Sequence, residues 1–366
     1  MKKALYFFQY LAPWKIDVFN GIAGRFDLTV VFFDIDREGF TYDRKDLMSR
    51  LKGVNVEILS RGCKVRGHPI RPGVRALLRK YRPDIVYVHE FSPVTVELLL
   101  LRRFFGYHLY LTTSDNLEMA RQSSGFVRKV RNWVLGRVDG AIFYSVPVLE
   151  YYKNHFPGLK SLVCPNIQNP LSLLGYKDLF PPIKASLCEQ YGIHSHRVAL
   201  YIGRLTYVKG LDLLLNAWKQ AGMDGYKLVL VGEGDCHDAL KRQAEDLGIA
   251  SDVIFPGFAS GATLYAWYDI ASFFILPSRY EPFGAVVNEA LVFGCPVVAS
   301  RYIGAVEFIQ GENGFFFDPL SPDSFVEALY RARESFPEPH GPRPNLMPFS
   351  FESYLSAYFN IDDPIR

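Results

Sequence analysis

Residues Pro277-Ser278-Arg279-Tyr280-Glu281-Pro282-Phe283-Gly284 run directly into Ala285-Val286-Val287-Asn288-Glu289-Ala290. The carboxylates of Glu281 and Glu289 stand a little over two helical turns apart, so a helix beginning at about Phe283 lets both face one cleft. Between them, the early-helix N–H groups of Phe283, Gly284 and Ala285 lack intrahelical acceptors and sit at the positive end of the helix dipole, which suits an anion. Carboxylates suit sugar hydroxyls and an N–H nest suits phosphate; together they describe a nucleotide-sugar site. Taken singly, a Glu near a helix start is equally well explained as a dipole partner.

A second group of residues points the same way. Tyr201-Ile202-Gly203-Arg204-Leu205-Thr206-Tyr207-Val208-Lys209-Gly210 follows an expected strand and precedes an expected helix over Leu211–Gln220. Gly203 permits a sharp turn at the strand end, Arg204 can grip phosphate with its planar fork, and Lys209 adds a compact charge. The two cations could neutralise a diphosphate leaving group as its bond breaks. Val231-Gly232-Glu233-Gly234 and Phe255-Pro256-Gly257-Phe258 end two further strands, and their glycines would let backbone approach a base or ribose. Neither a GxGxxG opening nor a GxxxxGK[ST] loop occurs, and no DxD-like pair stands where a metal would be needed. The expectation is a nucleotide-sugar donor with neither metal nor cofactor.

These residues need rigid strand ends behind them. Short Val/Ile/Leu/Phe runs alternate with helical patterns along the whole chain, which indicates parallel sheets covered on both faces. Strands are expected at Ala4–Phe8, Leu28–Phe33, Ile85–His89, Leu109–Thr113, Gly140–Tyr144 and Leu162–Cys164. In the second half they are expected at Val198–Ile202, Lys227–Val231, Val253–Phe255, Phe273–Leu276, Pro296–Ala299 and Gly314–Phe317. At 366 residues the chain exceeds what one core usually supports. The α/β pattern therefore reads as two doubly wound, Rossmann-like domains, residues 1–170 with 350–366 and residues 171–349. The boundary falls between Asn166 and Ser195, where prolines cluster. A second Pro-rich interval, Pro337 to Pro348, precedes a terminal helix near Phe351–Asn360, whose aromatics need an apolar surface.

Composition narrows the class. Hydrophobic residues make up 49% and charged residues 22%, as in an ordinary soluble globular protein. No signal-peptide pattern and no bilayer-spanning run is present, and Cys63, Cys164, Cys188, Cys236 and Cys295 lack ligand spacing, so a cytoplasmic protein with free thiols is expected. Net charge is +3, yet unevenly spread: 26 Lys+Arg against 15 Asp+Glu through Pro170, then 15 against 23. Helical patterns over Pro72–Tyr81 and Phe126–Val138 carry much of the excess, through Arg75, Arg79, Lys80 and Arg82 and through Arg128, Lys129, Arg131 and Arg137. Solvated amphipathic faces account for this; so does attachment to an anionic membrane surface, at about 1 kcal/mol per basic residue. No nucleic-acid-binding module is evident.

Gly203-Arg204, Lys209-Gly210, Val231-Gly232-Glu233-Gly234, Phe255 with Gly257, Glu281, Phe283-Gly284, Glu289-Ala290, Gly294-Cys295-Pro296-Val297 and Gly311-Glu312-Asn313-Gly314 stand in the order and spacing of a known family. The chain resembles glycosyltransferase family four, retaining enzymes with the GT-B fold, in which two Rossmann-like domains face each other across a cleft. The resemblance is specific over Val198–Asp318 and looser elsewhere. It implies that Arg204 and Lys209 hold the donor diphosphate, Glu281 contacts the transferred sugar and Glu289 binds ribose. Gly203, Gly232, Phe258, Phe283 and Gly284 complete the donor-binding set. It further implies a basic first domain taking a saccharide or lipid-linked saccharide acceptor at the inner membrane face, in bacterial surface-polysaccharide assembly. The first domain departs from the pattern: Ser114-Asp115-Asn116 stands where many relatives carry His, and Gln9-Tyr10-Leu11-Ala12-Pro13-Trp14 replaces a glycine-rich loop. His89, Glu90, Asp115 and Asn116 lie at expected strand ends, where turn or cap roles compete with substrate contact. A catalytically silent sugar-nucleotide-binding subunit and a same-fold epimerase or phosphorylase are the alternatives.

Overall fold

The computed structural model describes residues 1–34, 43–59, 62–65, 68–194, 197–336 and 343–361. Ser195, residues 337–342 of the Pro-rich interval and residues 362–366 of the expected terminal segment lie outside them. The chain forms two compact units, Met1–Asn169 with Ser350–Arg366, and Pro170–Phe349.

The first unit carries β1 (Lys3–Phe8), β2 (Asp27–Phe32), β3 (Val54–Ile58), the small antiparallel pair β4 (Cys63–Val65) and β5 (His68–Ile70), then β6 (Ile85–His89), β7 (His108–Thr113), β8 (Gly140–Phe143) and β9 (Ser161–Val163). Its main sheet runs β3-β2-β1-β6-β7-β8-β9, with every pairing parallel. Side chains alternate between the two faces. Leu5, Phe7, Val86, Val88, Leu109 and Leu111 pack beneath the helices on one side. On the other side Tyr6 meets Phe8, Phe19 and Tyr87 edge-on or tilted. Tyr358 closes that layer: its hydroxyl lies 3.0 Å from the Tyr6 hydroxyl, and its carbonyl accepts from the Tyr87 hydroxyl at 2.6 Å.

The second unit carries β10 (Arg197–Ile202), β11 (Tyr226–Val231), β12 (Val253–Gly257), β13 (Phe273–Leu276), β14 (Val297–Ser300) and β15 (Gly314–Phe317). They form a six-stranded parallel sheet in the order β12-β11-β10-β13-β14-β15. In both main sheets the order reverses beside the first strand, between β1 and β6 and between β10 and β13. Open α/β sheets bind ligands outside the carboxyl ends of the strands at such a reversal.

Several boundaries differ from expectation. β3 was not anticipated, because Asn55 and Glu57 interrupt an otherwise apolar run at the sheet edge. The helix expected from about Phe283 begins at Ala285, and the terminal helix is two short ones, Phe351–Leu355 and Ala357–Asn360. Elsewhere local chemistry and structure agree. The helix Pro93–Phe105 starts with a Ser92–Thr95 capping box and Pro at its first position, and stops at left-handed Gly106.

Candidate functional site

The loops after β10, β11, β13 and β14 meet at the reversal of the second sheet. Gly232 lies against Gly203 so closely that a Cβ added to it would fall 1.9 Å from the Gly203 carbonyl oxygen, and its φ of 139° is glycine-only territory. The strand ends of β10 and β11 can therefore approach only because position 232 has no side chain. The Tyr201 hydroxyl donates to the Arg204 carbonyl at 2.8 Å, which fixes the turn that presents the exposed Arg204 side chain.

Arg279, whose role the sequence did not reveal, ties two of these loops together. Its guanidinium forms two 2.6 Å bonds to the Asp212 carboxylate, donates to the Tyr207 carbonyl and stacks 4.0 Å over the Tyr207 ring. Its own N–H donates to the Val208 carbonyl. This clamp brings Lys209 to Glu281, and the Lys209 ammonium is ion-paired with the Glu281 carboxylate, both side chains 14% exposed. Glu281 is braced from behind by the loop after β14, through a parallel bridge to Ile303 and an N–H bond to the Tyr302 carbonyl. The signals for the clamp were present but ordinary: an Arg beside Glu281 and an Asp in the first turn after Gly210.

One expectation about the anion nest needs correction. Because the helix is Ala285–Val292, Phe283 lies outside it, and left-handed Gly284 (φ 94°) is its N-cap. Gly284 bends the chain so that Phe283 buries its ring against Phe308 and its carbonyl accepts from the Ala305 N–H. The intrahelically unpaired N–H groups of this terminus are those of Ala285 and Val286, whereas Val287 already donates to Gly284. Glu289 sits about one turn along, half-buried, with its carboxylate accepting from the Tyr268 hydroxyl at 3.1 Å. Phe258 follows β12 and is 59% exposed.

At the strand ends of the first unit, all four flagged residues have structural partners, those of Glu90 being Thr113 and Ser114. His89 is buried, stacked on Phe8 at 4.4 Å and facing Tyr144 at 5.8 Å. Burial and then the nearby Lys15 charge hold its pKa well below 6.5, so the ring is neutral. Asp115 accepts from Arg131 at 2.6 and 3.2 Å and from Tyr152 at 3.2 Å. Burial, then the Glu90 charge, push its carboxyl up to about 6 against the pull of Arg131. Arg131 is therefore an internal ion-pair member and no part of the basic face expected on its helix. Asn116 caps the helix Leu117–Gln122 by accepting from the Met119 N–H. Lys15, not singled out in the sequence, is fully buried with its ammonium 4.3 Å from the Tyr144 ring centroid and no hydrogen-bond partner among the described residues. Among the described residues no cluster of His, Cys, Asp and Glu could hold a metal ion, and Cys164, Cys188, Cys236 and Cys295 are free.

Residues 187–340, within the second unit, match the family model described as glycosyl transferases group 1. An uncharacterized glycosyltransferase of Methanocaldococcus jannaschii is 42% identical over 137 residues, 37% of this chain and 35% of that protein. A GDP-mannose-dependent phosphatidylinositol monomannoside mannosyltransferase of Mycolicibacterium smegmatis is 32% identical over 41% of this chain and 42% of its own length. A glycogen synthase of Mycobacterium tuberculosis is 29% identical over 72% and 64%. The alignments thus span from about one third to just under two thirds of these relatives. Among solved structures, Anabaena HepE in complex with UDP superposes with a TM-score of 0.72 at 20% identity, covering 98% of this chain and 94% of that one. The lipopolysaccharide outer core galactosyltransferase WaaB superposes with a TM-score of 0.70 at 18% identity over 99% of both chains. The fold is GT-B, built from two Rossmann-like α/β units. Sequence likeness to group 1 glycosyl transferases is carried by the stretch that holds Arg204, Lys209, Glu281 and Glu289.

Proposed function

We propose that this chain is a retaining, metal-independent glycosyltransferase of family four. In this reading it moves a sugar from a UDP- or GDP-sugar to a saccharide or lipid-linked saccharide acceptor. The observation that carries the reading is the Lys209–Glu281 pair at the reversal of the second sheet, with Arg204 on the same loop as Lys209 and a helix N-terminus following Glu281. A cation and a carboxylate held against each other at a ligand-binding edge are preset for a ligand that carries both phosphate and hydroxyls. On donor binding the diphosphate would take Lys209 and Arg204, and the freed Glu281 carboxylate would accept from hydroxyls of the sugar. Glu289 would accept from ribose hydroxyls, while Gly203, Gly232, Phe258, Phe283 and Gly284 shape the walls. In the transfer the bond from the sugar anomeric carbon to the diphosphate breaks, a bond to the acceptor oxygen forms, and the acceptor proton leaves with the diphosphate. The protein supplies position and charge.

The relatives and neighbours support a nucleoside-diphosphate donor, since UDP is bound in one and GDP-mannose is named for another. The reading extends to bacterial surface-polysaccharide assembly, with the protein cytoplasmic and peripheral to the membrane; the basic first half supports it. No helix among the described residues is long and apolar enough to cross a membrane.

The test is nucleoside diphosphate release from UDP-, GDP-, ADP- and TDP-sugars, with and without lipid extract. Release from one donor is expected, with a loss of about 100- to 1,000-fold in Glu281→Ala and in Arg204→Ala/Lys209→Ala. Donor binding without release under any condition would make the chain a silent binding subunit. Release unaffected by Arg204→Ala/Lys209→Ala would remove the diphosphate assignment.

A further inference from the structure

The two main sheets reverse their strand order at equivalent places. Glu281 follows β13, one of the two strands at the reversal of the second sheet; Glu90 is the residue immediately after β6, its counterpart in the first. Glu90 has φ 67°, one of only two non-glycine residues with positive φ among those described. A left-handed Glu costs roughly 1 kcal/mol or more that glycine would avoid, and such strain persists only where the surroundings impose it. Here they do. The Glu90 N–H donates to the Thr112 carbonyl at 2.8 Å, and its own carbonyl accepts from the Thr95 hydroxyl at 2.7 Å.

The same pinning aims the side chain. Oε1 accepts from the Ser114 N–H at 2.8 Å and from its hydroxyl at 2.5 Å, with His89 Nε2 at 3.3 Å. Oε2 accepts from the Thr113 hydroxyl at 3.0 Å. A carboxylate has about four acceptor sites, so these donors crowd Oε1 and leave acceptor capacity at Oε2, on a side chain 20% exposed. His89, wedged between Phe8 and Tyr144 and hydrogen-bonded through Nδ1 to the Thr112 hydroxyl at 3.0 Å, packs its Nε2 edge beside Oε1. A turn that needed only a left-handed residue would gain nothing from this apparatus.

We infer that Glu90 is a ligand-binding residue whose carboxylate accepts a hydrogen bond from a hydroxyl of a neutral saccharide acceptor at the carboxyl edge of the first sheet. The inference rests on the transferase reading above and names the group that would hold the acceptor. Thr113, Ser114 and His89 are its positioning residues.

The experiment compares two rates in the full chain with its preferred donor. One is donor hydrolysis by water; the other is transfer to octyl glucoside, octyl galactoside and octyl mannoside. Wild type should be accelerated by at least one glycoside. Glu90→Gln keeps the shape but loses the anionic acceptor, and should cut kcat/KM for that glycoside by about 10- to 100-fold. Its donor KM and hydrolysis rate should stay within about threefold of wild type, the size left to indirect effects. Ser114→Ala keeps the carboxylate and loosens it, so it should give a smaller loss, confined to transfer. Proportional loss of hydrolysis and transfer, with a lowered melting temperature, would make Glu90 a purely structural tie and overturn the inference. Unchanged transfer in Glu90→Gln, or a hydrolytic wild type that none of the glycosides accelerates, would overturn it too. A wild type that does not hydrolyse any donor would instead bring down the transferase reading, and this inference with it.

Discussion

Lys15 is a buried cation whose ammonium has no hydrogen-bond partner among the described residues. With an aromatic ring beside it and no such partner, the ammonium has lost most of its hydration; the ring face returns about 2 kcal/mol of cation–π attraction. Burial lowers its pKa from 10.5 to about 8. Below about pH 8 the amine is charged in both folded and unfolded states, and the penalty is complete. Between about 8 and 10.5 the unfolded chain binds more protons than the folded one, so stability rises with pH. Above 10.5 both forms are neutral and the penalty is gone. The shift corresponds to something on the order of 3 kcal/mol. Lys15→Met should therefore raise unfolding stability at pH 7 by about 1–4 kcal/mol, with the advantage fading towards pH 10.5. Denaturant titrations at pH 7 and pH 10 would show this, and a destabilised variant at pH 7 would mean that the ammonium has a counter-ion.

The strand ends are the elements on which the donor site depends. Gly232 and Gly257 both have positive φ and both end neighbouring strands, yet their surroundings differ. A Cβ on Gly232 would meet the Gly203 carbonyl at 1.9 Å, whereas one on Gly257 would meet nothing within 4 Å. Gly257→Ala should cost about 1 kcal/mol, the backbone preference alone. Gly232→Ala should cost at least about 2 kcal/mol and also weaken nucleoside diphosphate binding, because β10 and β11 must separate at the loop that carries Arg204. Equal costs in urea titrations would mean that the close approach does not shape the site. Element existence was legible in the sequence wherever burial on both faces produces a continuous apolar run, as in Ile85–His89 and Phe273–Leu276. β3 was not, since an edge strand tolerates Asn55 and Glu57. The helix start moved from Phe283 to Ala285 because a left-handed Gly284 lets the chain turn before the helix begins. The role of Arg279 escaped notice because its partner Asp212 is remote in sequence; Glu90 was marked as a strand-end candidate, but its left-handed backbone was not foreseen, because a φ value leaves no mark on composition.

At the scale of the whole molecule, charge is divided between the halves more clearly than any single helix shows. Part of the expected basic face is already engaged: Arg131 with Asp115, Lys80 with Glu57, and Arg137 over Trp133. Arg128 and Lys129 stand on the helix Gly125–Leu135 beside Phe126 and Val127, which are 79% and 56% exposed. Exposed aromatic and basic side chains on one helical turn match an anionic bilayer surface. Vesicles containing anionic phosphatidylglycerol should co-sediment with the protein at low salt, and vesicles of phosphatidylcholine alone should not. Phe126→Asp should lower the bound fraction several-fold, and an equal bound fraction for both lipids would leave the charge asymmetry with no role at membranes.

The aromatic layer closed by Tyr358 also governs the order in which the chain can acquire structure as it is made. Leu355 packs against Gly21 and Ile361 against Gly140, so the first unit takes its last layer from the end of the chain, whereas Pro170–Phe349 is one continuous stretch. On the ribosome, residues 1–169 must wait for the segment from Ser350, which is made only after the whole of Pro170–Phe349. At the usual rates of synthesis the 192 residues from Pro170 to Ile361 take roughly 10–40 s, during which the Tyr6 and Tyr87 layer lacks its cover. Residues 1–169 thus stay incompletely covered while Pro170–Phe349 is made, and the second unit is positioned to be the earlier one to finish.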